Sequence, residues 1–309
     1  MCIVALAWQP FSPLPLCLIS NRDEFHARPA AALARWDAGP EHPVSGQQVD
    51  ATCASEHGLQ PGTFPPPNLR AIIAGRDLQS GGTWLGITPE GRWAVITNFR
   101  DGRTRRQYDT SRGDLVLSFL QSDEEPLAFM QALHTRRHRY AGFNLIVGTR
   151  EQAVYLGHTG QSDVDAQRPP TVEGPEILAP GIHVLCNGLK SDLWHKSERI
   201  RTRFERELLP VLQEETVDDK PVIVQADNIE SLAWQILEDS RQLDDTQLPD
   251  TGISLEWERL LSSIYIQHEG RGYGTRSANL LMLGASGIRF TEKIQHGPER
   301  GTVRRYTTT

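Results

Sequence analysis

Cysteine is scarce in this chain. Only Cys2, Cys17, Cys53 and Cys186 occur in 309 residues. They form no CxxC pair and show no His/Cys spacing of a zinc site, so neither a metal site nor a disulfide framework is expected. Cys17 and Cys186 sit in apolar, strand-like surroundings and read as buried free thiols. A reducing compartment fits this usage, and a cytoplasmic location is the expectation. Long apolar runs are also missing. No segment reaches the roughly 18 consecutive apolar residues of a membrane span. The first residues lack the basic stretch and cleavage site of a secretory signal, so no stable membrane insertion is expected. There is no basic surplus: the net charge is −7 and the pI about 5.8. That balance argues against nucleic acid or anionic membrane as partner. Neither GxGxxG nor GK[ST] occurs, which excludes the common phosphate-binding loops.

What is present is ordinary for a globular protein: 38% hydrophobic and 23% charged residues. No internal repeat or clean boundary divides the chain, so one domain over 1–309 is expected. Residues 2–8 read as a strand, and Gln9 to Pro15, with three prolines, as a turn. Residues 14–20 read as a second strand, buried on both faces. Residues 21–29 form its polar exit. Residues 38–70, rich in Pro and Gly, read as a long loop. Strands follow around Ala71–Asp77, Trp84–Ile87 and Trp93–Asn98. Residues 111–136 read as one or two helices with Ser111 or Asp123 as caps. A hairpin spans Phe143–Gly148 and Ala153–Leu156, then a loop 159–180 and a strand Ile182–Cys186. A long charged helix is read over Ser191–Leu212, capped by Ser191 or Asp192. After a link 213–225 comes a helix 226–239, a loop 244–252 and a short helix near Ser254–Ile264. Strands at 279–283, Ile288–Lys293 and Val303–Tyr306 close the chain. Hairpins flank central helices without βαβα alternation. That pattern predicts an α+β fold with mainly antiparallel sheets and not a doubly wound one.

The chemistry centres on Cys2. It is small enough for the initiator methionine to be trimmed, which would leave a thiol and a free α-amine on one residue. Their ordinary pKa values lie near 8.5 and 8. Such a residue holds nucleophile and base together. Apolar residues follow at once, so Cys2 would head a buried strand. Polar groups gather at other strand ends: Asn21, Arg22, Asp23 and Glu24, then Asn98 and Asn187, with Arg276 entering a late strand. Asn side chains and backbone amides can supply an oxyanion hole. An arginine or carboxylate can orient the amine and tune the thiol. The bland alternatives are a small hydrophobe at position 2 and turn asparagines elsewhere.

The string Asn21-Arg22-Asp23-Glu24-Phe25, with Arg28-Pro29, resembles the signature of the NRDE family, also called the transport and Golgi organisation protein 2 family. Met1-Cys2-Ile3, Gly81-Gly82-Thr83-Trp84-Leu85-Gly86-Ile87, Thr97-Asn98, Gly142-Phe143-Asn144-Leu145, Cys186-Asn187 and Gly272-Tyr273-Gly274-Thr275-Arg276 resemble further blocks, in the same order. The resemblance covers about residues 1–306. It implies an αββα sandwich of two stacked antiparallel sheets, as in N-terminal nucleophile hydrolases. The family also resembles the cysteine acylases that cleave linear amides, which implies an amidohydrolase acting on non-peptide C–N bonds without a cofactor. By that resemblance Cys2 is the nucleophile and its amine the base. Asn187 and Asn98 build the oxyanion hole, and Arg276 matches a late active-site arginine. The acylases carry an Arg and an Asp three residues apart, a spacing this chain lacks. Arg22 and Asp23 are therefore expected near the amine, with Asn21 and Glu24 as substrate contacts. Gly82, Thr83 and Trp84 would shape an apolar acyl pocket. Family links to haem mobilisation and to acyl-coenzyme A or lipid handling imply a second possibility, a non-catalytic binding and trafficking protein. The expected partner is a small molecule in either case.

Overall fold

The computed structural model describes residues 2–11, 13–36, 70–104, 107–108, 110–160, 171–216, 226–285 and 287–308. The expected loop over 38–70 (all but its last residue), Cys53 and most of the expected link 213–225 lie outside these residues.

One sheet contains strands β1 (Cys2–Phe11), β2 (Leu14–Phe25), β10 (Gly181–Leu185), β11 (Gln267–His268), β12 (Tyr273–Leu283), β13 (Ile288–Ile294) and β14 (Val303–Thr308). Their order is β10-β1-β2-β12-β13-β14, with β11 on β12. The second sheet runs in chain order through β3 (Ala30–Trp36), β4 (Ile72–Asp77), β5 (Leu85–Ile87), β6 (Trp93–Asn98), β7 (Phe143–Gly148), β8 (Ala153–His158) and β9 (Val172–Ile177). All pairings among these strands are antiparallel.

Alternating side chains explain the layers. In β1, Val4, Leu6 and Trp8 face the second sheet, where they meet Ile73, Trp93, Val95 and Tyr155. Ile3, Ala5 and Ala7 point the other way, onto a helical layer. A strand buried on both faces reads as a continuous apolar run, which is what residues 2–8 and 14–20 are. The first helical layer is α3 (His195–Arg203), a π turn (Phe204–Leu208), α4 (Leu209–Thr216) and α5 (Asp227–Leu237). On the far side, α1 (Gly113–Gln121) and α2 (Pro126–Arg136) cover the second sheet through Phe119, Phe129 and Leu133. A short α6 (Leu255–Leu260) is capped by the Ser254 hydroxyl. The architecture is thus a four-layer α+β sandwich, helices–sheet–sheet–helices, as expected.

Several boundaries differ from the sequence expectation. β1 continues to Phe11 and β2 resumes at Leu14, so the proline-rich turn is shorter. Residues 21–25 lie inside β2 and not beyond it, because β12 pairs with β2 out to Phe25. β12 likewise begins at Tyr273. β3 and β9 are strands the sequence did not announce. β3 and β9 are the two edges of their sheet and β9 is poorly buried, so both lack the apolar run of a central strand. The helix expected from Ser191 starts at His195 with Trp194 as N-cap, and Asp192 instead accepts the Leu189 amide. Its end extends to Thr216, into the expected link.

Candidate active site

Cys2 lies directly opposite Arg22 across the β1–β2 pair. Opposed residues of an antiparallel pair share a face, so both side chains look between the sheets. Cys2 is 9% exposed and Arg22 4%. Burial pushes the Cys2 thiol up; the Asp23 charge adds to this, while Arg22 and a hydrogen bond from the Asp23 backbone pull it down. Both residues line a cleft of about 450 Å³.

The remaining walls come from three places. Asp23, Glu24 and Arg28 follow along the end of β2. Asp77, Ser80, Gly82, Thr83 and Trp84 come from the β4–β5 connection, and Asn98 ends β6. Tyr108 and residues 110–113 bring in the start of α1. A Cβ on Gly82 would lie 2.7 Å from the Gly113 backbone, so glycine there lets the loop close on α1. Gly75 plays the same part for Trp84, whose ring would be 2.6 Å from an added Cβ. The Arg22 guanidinium stacks 4.3 Å above the Trp84 ring, a cation–π contact.

The walls are mainly polar, which corrects the expectation of an apolar acyl pocket. Trp84, Ile96 and Ala141 are the apolar exceptions. Three arginines, Arg22, Arg28 and Arg112, and three acidic residues, Asp23, Glu24 and Asp77, line the cleft. Asp77 receives Arg28 at 2.6 Å and Arg22 at 3.3 Å. Its burial disfavours the charge, but Arg28 and the Ser80 amide outweigh that and hold the carboxyl below its usual range. Asp23 projects to the opposite face of β2 from Arg22, where Thr275 donates to it at 2.7 Å. Burial raises the Asp23 carboxyl, against the pull of Lys196 and Thr275. Among the described residues no histidine lines the cleft and no group of His, Cys, Asp or Glu could hold a metal ion.

Two expected site residues lie elsewhere. Asn21 belongs to the other face of β2, and its amide donates to the Leu237 and Ile264 carbonyls at 2.7 and 2.9 Å. It joins sheet to helices and touches no cleft, because side chains alternate along a strand. Arg276 is the extra residue of a bulge between Thr275 and Ser277, and bulges re-aim side chains. Its Nη1 donates to the carbonyls of Phe25, His26 and Arg28, and it does not line the Cys2 cleft.

Asn98 lines the cleft, whereas Asn187 reaches it through Asn98. The Asn187 amide donates to the Asn98 carbonyl at 2.9 Å. A clamp of motif residues to which the sequence reading gave no role sets this contact. Thr97 and Asn144, paired on β6 and β7, cross to the end of β10 in the other sheet. Thr97 donates to the Cys186 carbonyl at 2.6 Å, and Asn144 to the Gly188 carbonyl at 2.7 Å. Tyr155 donates to Asn144 at 2.8 Å. The polar Asn144 in the otherwise apolar run 143–148 was the available signal.

Fold and site together define a four-layer α+β protein with a cysteine thiol opening onto a charged cleft at the end of its sheets. Residues 1–58 and 63–296 match the family described as Transport and Golgi organisation 2, and the chain belongs to that family. It is 27% identical to the bovine Transport and Golgi organization protein 2 homolog over 317 residues, covering 97% of this chain and 95% of that protein. The human homolog is 27% identical over 307 residues, covering 95% and 92%. Among solved structures, the chain resembles penicillin V acylase from Agrobacterium tumefaciens (TM-score 0.48, 10% identity, 98% of this chain and 90% of that one). It also resembles a C2A mutant of conjugated bile acid hydrolase from Clostridium perfringens (TM-score 0.43, 8% identity, 100% and 97%). Scores this low do not bear on the chemistry.

Proposed function

We propose that the protein is a cysteine amidohydrolase of the N-terminal nucleophile type, cleaving a linear, non-peptide C–N bond. The observation that carries this is the Cys2 thiol, at the head of a buried strand, facing Arg22 in a cleft large enough for a small molecule. Removal of Met1 would free the Cys2 amine. The amine takes the thiol proton, and the thiolate attacks the amide carbonyl. Asn98, held by Asn187, stabilises the oxyanion. The amine then protonates the departing nitrogen as the C–N bond breaks. Water hydrolyses the thioester and regenerates the thiol. Asp23 holds the amine from one side, and Arg22 favours the thiolate from the other. The charged walls favour a polar or ionic amide over a plain fatty one.

One observation favours a second reading, a carrier of acyl compounds or haem without catalysis: burial holds the Cys2 thiol up, toward its unreactive form. Intact mass of the native protein, with and without iodoacetamide, separates the two. The hydrolase reading expects loss of Met1 and one fast-labelling thiol that disappears in Cys2→Ala. A retained Met1, or a Cys2 no faster than a free thiol, refutes it and favours the carrier.

A further inference from the structure

A second cavity, of about 260 Å³, shares Arg22 and Trp84 with the first but does not include Cys2. Its other walls include Ala32, Arg276, Ser277 and Glu292. Two arginines therefore meet in it, and neither is fully matched. Arg22 gives Nη2 to Asp77 at 3.3 Å, but Arg28 holds the same carboxylate more closely, at 2.6 Å. Arg22 Nη1 is buried and has no hydrogen-bond partner among the described residues. A buried guanidinium N–H left unpaired is costly. Arg276 bonds only backbone carbonyls, and no described carboxylate lies within ion-pair distance of it. Burial, and then the Arg22 charge, make its own charge harder to keep.

Neither acid of this cavity is within ion-pair distance of Arg22 or Arg276 among the described residues, although Glu292 feels the Arg22 charge. Glu299 is bound to Arg304 at 2.9 Å. Glu292 accepts the Leu33 amide at 2.5 Å, and burial raises its carboxyl toward the neutral form. Two like charges, an orphan donor and an adjoining void call for an anion.

We propose that this second cavity binds a small oxyanion, carboxylate or phosphate, between Arg22 and Arg276. The site stands whether or not Cys2 is a nucleophile. Isothermal titration of the full chain with inorganic phosphate, and separately with propionate, tests it at constant ionic strength. At least one anion should bind saturably, and the tighter of the two identifies the natural group. Affinity should fall at least tenfold in Arg276→Gln and in Ala32→Phe, which fills the cavity and leaves both arginines intact. Arg112→Gln, on the wall of the Cys2 cleft, should bind as wild type. Absence of saturable heat from both anions overturns the proposal. So does loss in Arg112→Gln with Ala32→Phe unaffected, which would locate the anion beside Cys2. Should Arg276→Gln fail to fold once three carbonyls lose their donor, Ala32→Phe decides alone.

Discussion

Replacing Asn144 tests whether the clamp between the sheets holds the site together. The side chain is fully buried. Its amide donates to Gly188, Cys186 and Thr97 at 2.7, 3.3 and 3.2 Å, and its oxygen accepts Tyr155. In Asn144→Ala, Thr97 still serves the Cys186 carbonyl, and the Lys190 amide still reaches the Tyr155 hydroxyl. The Gly188 carbonyl is the group left unpaired. An orphaned buried acceptor costs about 1–3 kcal/mol and the lost bond to Tyr155 about 1 kcal/mol, so the expected loss is roughly 2–4 kcal/mol. Asn144→Asp should be no better. It keeps the shape, but sets a carboxylate against two carbonyl oxygens. Urea unfolding gives the stability change, and the Cys2 alkylation rate reports on the site. Because Asn187 follows Cys186 directly, releasing that segment should also loosen the Asn187–Asn98 contact. An Asn144→Ala protein within about 0.5 kcal/mol of wild type, the span of an ordinary surface change, or an Asn144→Asp protein as stable as wild type, would refute the reasoning.

Two further outcomes follow from buried charge. His158 is fully buried and its imidazole is pushed down to about 4, by burial first and then by Arg137, His138 and His134. A base whose folded pKa is depressed gives stability that is complete above its unfolded value near 6.5 and is lost as pH falls through the folded one. Linkage puts that loss at roughly 2 kcal/mol between pH 7 and pH 4.5, measured by chemical denaturation across pH. His158→Leu should remove about that much of the acid sensitivity, and an unchanged profile would contradict the assignment. The buried Glu230 takes the buried Arg289 at 2.5 Å and the half-exposed Arg305 at 2.8 Å. Glu230→Gln removes the buried carboxylate charge from beside Arg289 and Arg305, leaves the exposed Asp227 at 3.3 Å from Arg289, and should cost about 3 kcal/mol in a urea melt. A loss below about 1 kcal/mol would refute the assignment of that cost to the Glu230 charge.

Much of the fold was legible because apolar side chains recur at strand spacing. β1 and β2 announced themselves through continuous apolar runs, and the hairpin turn at Thr149–Gln152 falls where its residues put it. β3 and β9 did not, since an edge or part-exposed strand needs no apolar run. For the site, Cys2, Arg22, Asp23, Glu24 and Asn98 all line one cleft. Asn21 and Arg276 do not. Adjacent residues on a strand face opposite ways, and a bulge turns one of them aside.

By itself, the sequence determined that its second strand is buried on both faces, that the sheets are mainly antiparallel, and that a thiol heads a buried strand ahead of an arginine- and carboxylate-rich stretch. Local alternation and residue chemistry suffice for that. Only the tertiary structure decided which polar residues share a space. It gave the cleft charged walls, assigned Asn21 to the helical layer, bound Asn187 to Asn98 through a clamp across the sheets, and made Arg22 common to two cavities. Those outcomes depend on strand register and on contacts between residues far apart in the chain, and neither is written in any one motif.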